Sequence, residues 1–107
     1  MRHAGPDTLG RIAPLLAALR ARGVLHERRP GVFELHSRAF LHFHDDPSGV
    51  FADVRLADAF VRLAVTSRAE QAELLDRIDD CLSAVETRAT SKRRREKRRG
   101  ARGEIPR

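Results

Sequence analysis

Between Val24 and Thr66 apolar residues come in short alternating runs broken by turn formers, and that pattern restricts the middle of the chain to paired strands. The runs are "VLHER" (24–28), "VFELH" (32–36), "AFLHFH" (39–44), "VFADVRL" (50–56) and "FVRLAVT" (60–66). Four or five strands joined by short loops predict an antiparallel meander. Pro30-Gly31 suits the two central positions of a type II turn. Ser37-Arg38 has the spacing of a tight hairpin, although neither residue is the Asn or Gly that a primed turn prefers. "DDPSG" (45–49) reads as a five-residue turn in which Asp, Pro, Ser and Gly each have a local reason to sit.

Helical periodicity flanks these runs. In "PDTLGRIAPLLAALRARG", Leu9, Ile12, Leu16 and Leu19 recur at three and four, with Asp7 or Thr8 as N-cap and Gly23 near the C-terminus. Pro14 either kinks this helix or begins a shorter one near Ala13. "SRAEQAELLDRIDDCLSAVE" carries a stripe of Leu74, Leu75, Ile78, Leu82 and Val85, and Ser67 and Glu70 have capping-box spacing. The expectation is an α+β domain over residues 1–87: helix, antiparallel four- to five-stranded meander, helix. The two helices are expected to cover one face of the sheet.

The net charge of +6 divides unevenly. Ten basic residues from Arg88 onward against Glu96 and Glu104 give +8, so residues 1–87 carry −2. With Ile105 as its one large aliphatic, residues 88–107 read as a disordered basic tail. Lys92, Arg93, Arg94, Arg95, Lys97, Arg98 and Arg99 are its candidate contacts to RNA or DNA, bound non-specifically through phosphates. No aromatic interleaves them, so base readout is not expected.

No apolar run reaches the roughly 20 residues that cross a bilayer, and "MRHAGPDTLG" has no apolar signal region. No membrane contact is expected either, since the basic run has no apolar face. The single cysteine, Cys81, cannot close an internal disulfide, which suits a cytoplasmic protein. Cys81 reads as a small core residue beside the helical stripe. Serine-nucleophile motifs, glycine-rich phosphate loops and CxxC pairs are missing, so the case for an enzyme is thin.

"FLHFHDD" (40–46) is the stretch that most resembles chemistry. Strand geometry with a symmetric five-residue turn pairs His44 with Val50, His42 with Ala52 and Phe40 with Val54. His42 and His44 would then share a face with Phe33, Leu35, Phe40, Val50, Val54 and Leu56. Glu34, His36, Leu41, Phe43, Phe51, Asp53 and Arg55 would take the other. In one reading His42 and His44, with Asp45 or Asp46, hold a divalent metal, and His26 or His36 is a third ligand if the sheet brings it round. In another they line a small-ligand pocket. In the plainest, His42 is a core histidine, His44 ends a strand, and the aspartates cap a turn. Glu34 and Asp53 as paired catalytic carboxylates lack any feature that raises a pKa, so they read as surface charge.

The run "RAFLHFHDDPSGVFADVRL" (38–56) resembles the central strand pair of the small luciferase-like domain family: an aliphatic-His-x-His stretch, an acidic turn, and a following strand containing Asp. The resemblance extends to roughly residues 9–86 if the flanking helices are included. It implies an α+β layout and the matching positions His42, His44, Asp46 and Asp53, and it implies no reaction. The family's later His-His and Ser-Gly-Trp stretch has no counterpart, since the chain contains no Trp. The function expected from all this is a small binding or interaction module with a polyanion-contacting tail. A metal- or ligand-binding domain centred on His42 and His44, an enzyme among its forms, is the alternative.

Overall fold

The alternating runs pair in sequence order. The computed structural model describes residues 2–84. In chain order they form β1 (Arg2–His3), α1 (Pro6–Arg11), α2 (Ala13–Arg20), β2 (Leu25–Arg29), β3 (Val32–Leu35), β4 (Arg38–Asp46), β5 (Gly49–Arg55) and β6 (Phe60–Ala64). A last helix, α3, covers residues 68–84. Strands β2 to β6 make the expected antiparallel meander, and β1 adds an unexpected sixth strand on β4. The ladder of β3 on β4 stops at Leu41. That leaves the β4 edge beyond it for Arg2 and His3, which pair with Asp45 and His44.

Of the two readings of Pro14, the shorter helix holds: α2 begins at Ala13, with a separate short helix α1 before it. Ile12, at φ −108° and ψ 24°, separates α1 from α2, and Pro14 falls in the first turn of α2, where its missing N–H costs nothing. Gly5 is the N-cap of α1, with Pro6 next, so neither Asp7 nor Thr8 caps it. Thr8 is instead buried, and its hydroxyl donates to Asp45 Oδ2 at 3.0 Å. The α3 capping box forms as expected: Ser67 Oγ accepts from the Glu70 amide at 3.1 Å, and Glu70 Oε1 from the Ser67 amide at 2.9 Å.

Ile12 from the junction of the first two helices, Leu15, Leu16 and Leu19 from α2, and Leu74 and Ile78 from α3 bury one face of the sheet. That face supplies Leu25, Phe33, Leu41, Phe43, Val50, Ala52 and Val54, all nearly inaccessible. Burial at roughly 25 cal/mol per Å² of apolar surface makes this layer the main source of stability. Arg22 ties the layer together at its rim, with Nε and Nη2 donating to the two Asp79 oxygens at 2.7 and 2.8 Å.

Register is where expectation and structure part. The β4–β5 turn is Pro47-Ser48 alone, and the ladder runs through Asp46↔Gly49, Asp45↔Val50, His44↔Phe51, Phe43↔Ala52, His42↔Asp53 and Leu41↔Val54. Relative to the expected pairing this is a slip of one residue, which turns every side chain to the other face. Leu41 and Phe43 therefore face the helices, and His42 and His44 face away with Asp53. Phe40 escapes the alternation because it is the extra residue of a β-bulge between Phe33↔Leu41 and Glu34↔Ala39, which lets it pack into the core beside Leu41. The β3–β4 turn is His36-Ser37, one residue earlier than expected. Both take positive φ (51° and 65°), as a type I′ turn demands. Gly31 takes φ +77°, as the second central position of a type II turn requires.

Among the described residues no helix is long and apolar enough to cross a membrane. Val85 and the whole basic stretch 88–107, with Lys92 to Arg99, lie outside the described residues.

Candidate metal centre

The face of the sheet away from the helices gathers the polar side chains. On β4, His42 and His44 stand two residues apart, and Asp53 on β5 lies directly opposite His42 and diagonally from His44. Both contacts are within reach of cross-strand neighbours. His44 Nε2 is 2.8 Å from Asp53 Oδ2, and His42 Nε2 is 3.4 Å from the same oxygen. From β6, Arg62 is the ladder partner of Asp53 and donates through Nε and Nη2 to its two oxygens at 2.7 and 2.9 Å. Asp53 is thus held between a guanidinium and two imidazoles. Its side chain is 14 % exposed, so these contacts are only partly screened.

Electrostatics follow from that placement. The hydrogen bonds from Arg62, then the bond from His44, hold the Asp53 carboxyl down from 3.8 to about 2 against its partial burial. That is the opposite of the raised carboxyl a general acid needs. His42 is shifted below its ordinary value, first by burial and then by the neighbouring His44, while Asp53 opposes the shift. It is therefore neutral at pH 7, with a ring nitrogen lone pair available to a ligand.

Of the four positions matched by the family resemblance, the structure brings together His42, His44 and Asp53, one ligand atom from each lying within 4.8 Å of the others. Asp46 is outside the cluster. Its Oδ2 accepts from the Ser48 amide at 3.0 Å and from the Ser48 hydroxyl, and these bonds lower its pKa. Asp45 is outside too, facing the Thr8 hydroxyl and Arg11. His36 sits in the turn at the far end of β4. His26, on β2, is level with Glu34 and Ala39, two strands or about 10 Å across the sheet. Neither can serve as the third imidazole.

His3 comes there instead. It is the ladder partner of His44, and its ring centre lies 5.0 Å from that of His44 and 5.8 Å from that of His42. A two-residue strand has no periodicity, so only the histidine itself was visible in the sequence. The Arg62 partner was likewise unassigned, since its pairing depends on the β5–β6 register. Phe60 closes the other side, 5.7 Å from His42 and under the Arg55 guanidinium at 4.6 Å.

The cluster lies on the sheet face away from the described helices. A cleft of about 810 Å³ exists elsewhere, lined by Leu35, Arg38, Phe40, Arg55, Leu56 and Cys81 among others, and it includes neither histidine. At its edge the half-buried Cys81 thiol donates to the Leu56 carbonyl at 3.2 Å, in keeping with a packing residue. No protein-family model, curated protein or solved structure matches the chain.

Proposed function

We propose that the chain is a small binding module that takes up one divalent transition-metal ion on the open face of its sheet, through His42, His44 and Asp53. The observation that carries this reading is the convergence of three ligand atoms within 4.8 Å on two paired strands. Two imidazoles with one carboxylate suit zinc and its neighbours, whereas calcium and magnesium favour oxygen shells. Strand pairing fixes where the ligands stand, and Arg62 keeps a bond to the second Asp53 oxygen, the kind of outer contact that orients a ligating carboxylate.

Thermal unfolding of the full chain with zinc or manganese chloride tests the reading. An ion bound only by the folded state adds about 2.7 kcal/mol at 100 times its Kd, so the melting temperature rises, and the rise is absent in His42→Asn/His44→Asn. An unchanged melting temperature in the unaltered protein with either metal leaves the network as hydrogen bonds and nothing more.

The segregation of charge favours a second activity, in a different part of the chain. Residues 88–107 carry +8 against −2 for the remainder. We propose that Lys92, Arg93, Arg94, Arg95, Lys97, Arg98 and Arg99 contact RNA or DNA phosphates, with a dissociation constant on the order of 10⁻⁴ to 10⁻⁶ M at physiological salt. Anisotropy of labelled RNA and duplex DNA should show binding by the full chain, steeply weakened by salt. Equal binding by residues 1–87 would place the contact elsewhere.

A further inference from the structure

The third imidazole at the cluster has no role in a three-ligand centre, and its placement is specific. His3 reaches the open face because β1 pairs with β4 in the register His3↔His44, and ladder partners share a face. The ring is exposed and makes no hydrogen bond among the described residues, so nothing in the fold already occupies its nitrogens. The strand that carries it has little to hold it. Two ladder pairs, the Ala4 amide bonded to the Phe43 carbonyl at 3.1 Å, and a 4.0 Å approach of Arg2 to Asp45 are its sheet contacts.

Ring spacing gives a quantitative comparison. A zinc–nitrogen bond of about 2.0 Å places an imidazole centre about 3.2 Å from the ion, so two rings at the tetrahedral angle have centres about 5.2 Å apart. The three rings here are 4.9, 5.0 and 5.8 Å apart, and their planes are inclined by 77°, 34° and 46° rather than stacked. The three ring centres thus stand near the spacing that one tetrahedral ion imposes, beside a carboxylate held by Arg62. The ligand atoms within 4.8 Å of one another are those of His42, His44 and Asp53, so the His3 ring must turn toward them to join the same ion.

We propose that His3 is the fourth ligand of this centre, so that His3, His42, His44 and Asp53 form a closed three-nitrogen, one-oxygen set and ion binding clamps β1 onto β4. This rests on the metal-binding reading above and sharpens it in two ways. The ion is zinc-like and tetrahedral, and with four protein ligands it keeps no open position for a substrate, as in structural rather than catalytic zinc sites.

Cobalt(II), which absorbs visible light strongly when tetrahedral and weakly when six-coordinate, is the probe. Tag-free full-length protein should bind it with the intense tetrahedral spectrum. His3→Ala should still bind, but with affinity lower by about tenfold or more, since even losing a partner outside the ligand shell costs 10–100-fold, and with a weak spectrum. In parallel, zinc should slow hydrogen exchange of the Ala4 amide in the unaltered protein and not in His3→Ala. If His3→Ala keeps both affinity and spectrum while His42→Asn/His44→Asn loses them, the three-ligand centre stands and His3 is no ligand. If the unaltered protein binds neither cobalt nor zinc, the metal-binding reading fails and this inference with it.

Discussion

The two faces of the β4–β5 hairpin are built from the same alternating backbone and do opposite work. On the helix side, Leu41, Phe43, Val50, Ala52 and Val54 are all at most 4 % exposed and belong to the hydrophobic core. On the other side, His42, His44 and Asp53 are half-buried, hydrogen-bonded and uncovered by any described helix. One residue of displacement along the strand separates side chains that form the core from a hydrogen-bonded polar cluster. The apolar core and the proposed metal site thereby lie on different sides of one sheet.

Neighbouring substitutions on β4 should expose this division most sharply. Phe43→Ala removes a 2 %-exposed aromatic from the core and should cost about 3–5 kcal/mol in urea unfolding. His42→Ala, one residue away, should cost about 1 kcal/mol or less, as partly exposed positions do. Equal losses would mean the open face is structural after all.

Next in size is the hairpin that keeps the faces apart. Gly49 takes φ +145°, where L side chains rarely sit, and a Cβ there would collide with the Thr66 hydroxyl. That hydroxyl accepts from the Val50 amide at 2.9 Å. Gly49→Ala should therefore lose about 1–3 kcal/mol, the usual cost of a strained backbone position. It should also shift the His42 and His44 resonances, because the turn sets their register. A variant of undiminished stability would show that the turn tolerates the methyl group.

The smallest effect separates the faces by pH, in metal-free protein. The Asp53 carboxyl is held from 3.8 down to about 2, so its share of stability is present above about pH 4 and disappears as pH falls toward 2. His42 is shifted below its ordinary value, so from about pH 6.5 downward the unfolded chain takes up its proton first and stability again declines with acid. Each contribution is on the order of a kcal/mol or less, because Arg62 and His42 are partly solvated. Asp53→Asn should flatten the lower limb and His42→Asn the upper. The Phe43 side chain takes up no proton, so Phe43→Leu should lower the whole curve without changing its shape.

The elements were legible in the sequence because their periods differ: alternation from 24 to 66, three-and-four spacing on either side. The capping box at Ser67 and the glycine of the first turn were legible for the same local reason. Register was not. Asp45 and Asp46 are turn formers by type, but here Thr8 and Arg11 engage one and Ser48 the other, so their backbones stay in the ladder and the turn shrinks to Pro47-Ser48. The bulge at Phe40 then broke the alternation that would have exposed the error. For the site, spacing singled out His42 and His44 while strand geometry put Asp53 on the opposite face, and the family resemblance alone grouped the three. His3 and Arg62 depend on pairings between segments whose relative register no local pattern encodes.

The pairing of β1 with β4 also orders events in time. Among the described residues every other strand pairing joins neighbours in sequence, whereas β1 must wait for a partner that lies beyond two helices and two strands. Closing the longer loop costs more entropy for only two ladder pairs, and such distant contacts form late. The hairpin bearing His42, His44 and Asp53 is therefore expected to be in place before His3 arrives. An ion present during folding would meet a half-built cradle first, and β1 would be the last of these strands to settle.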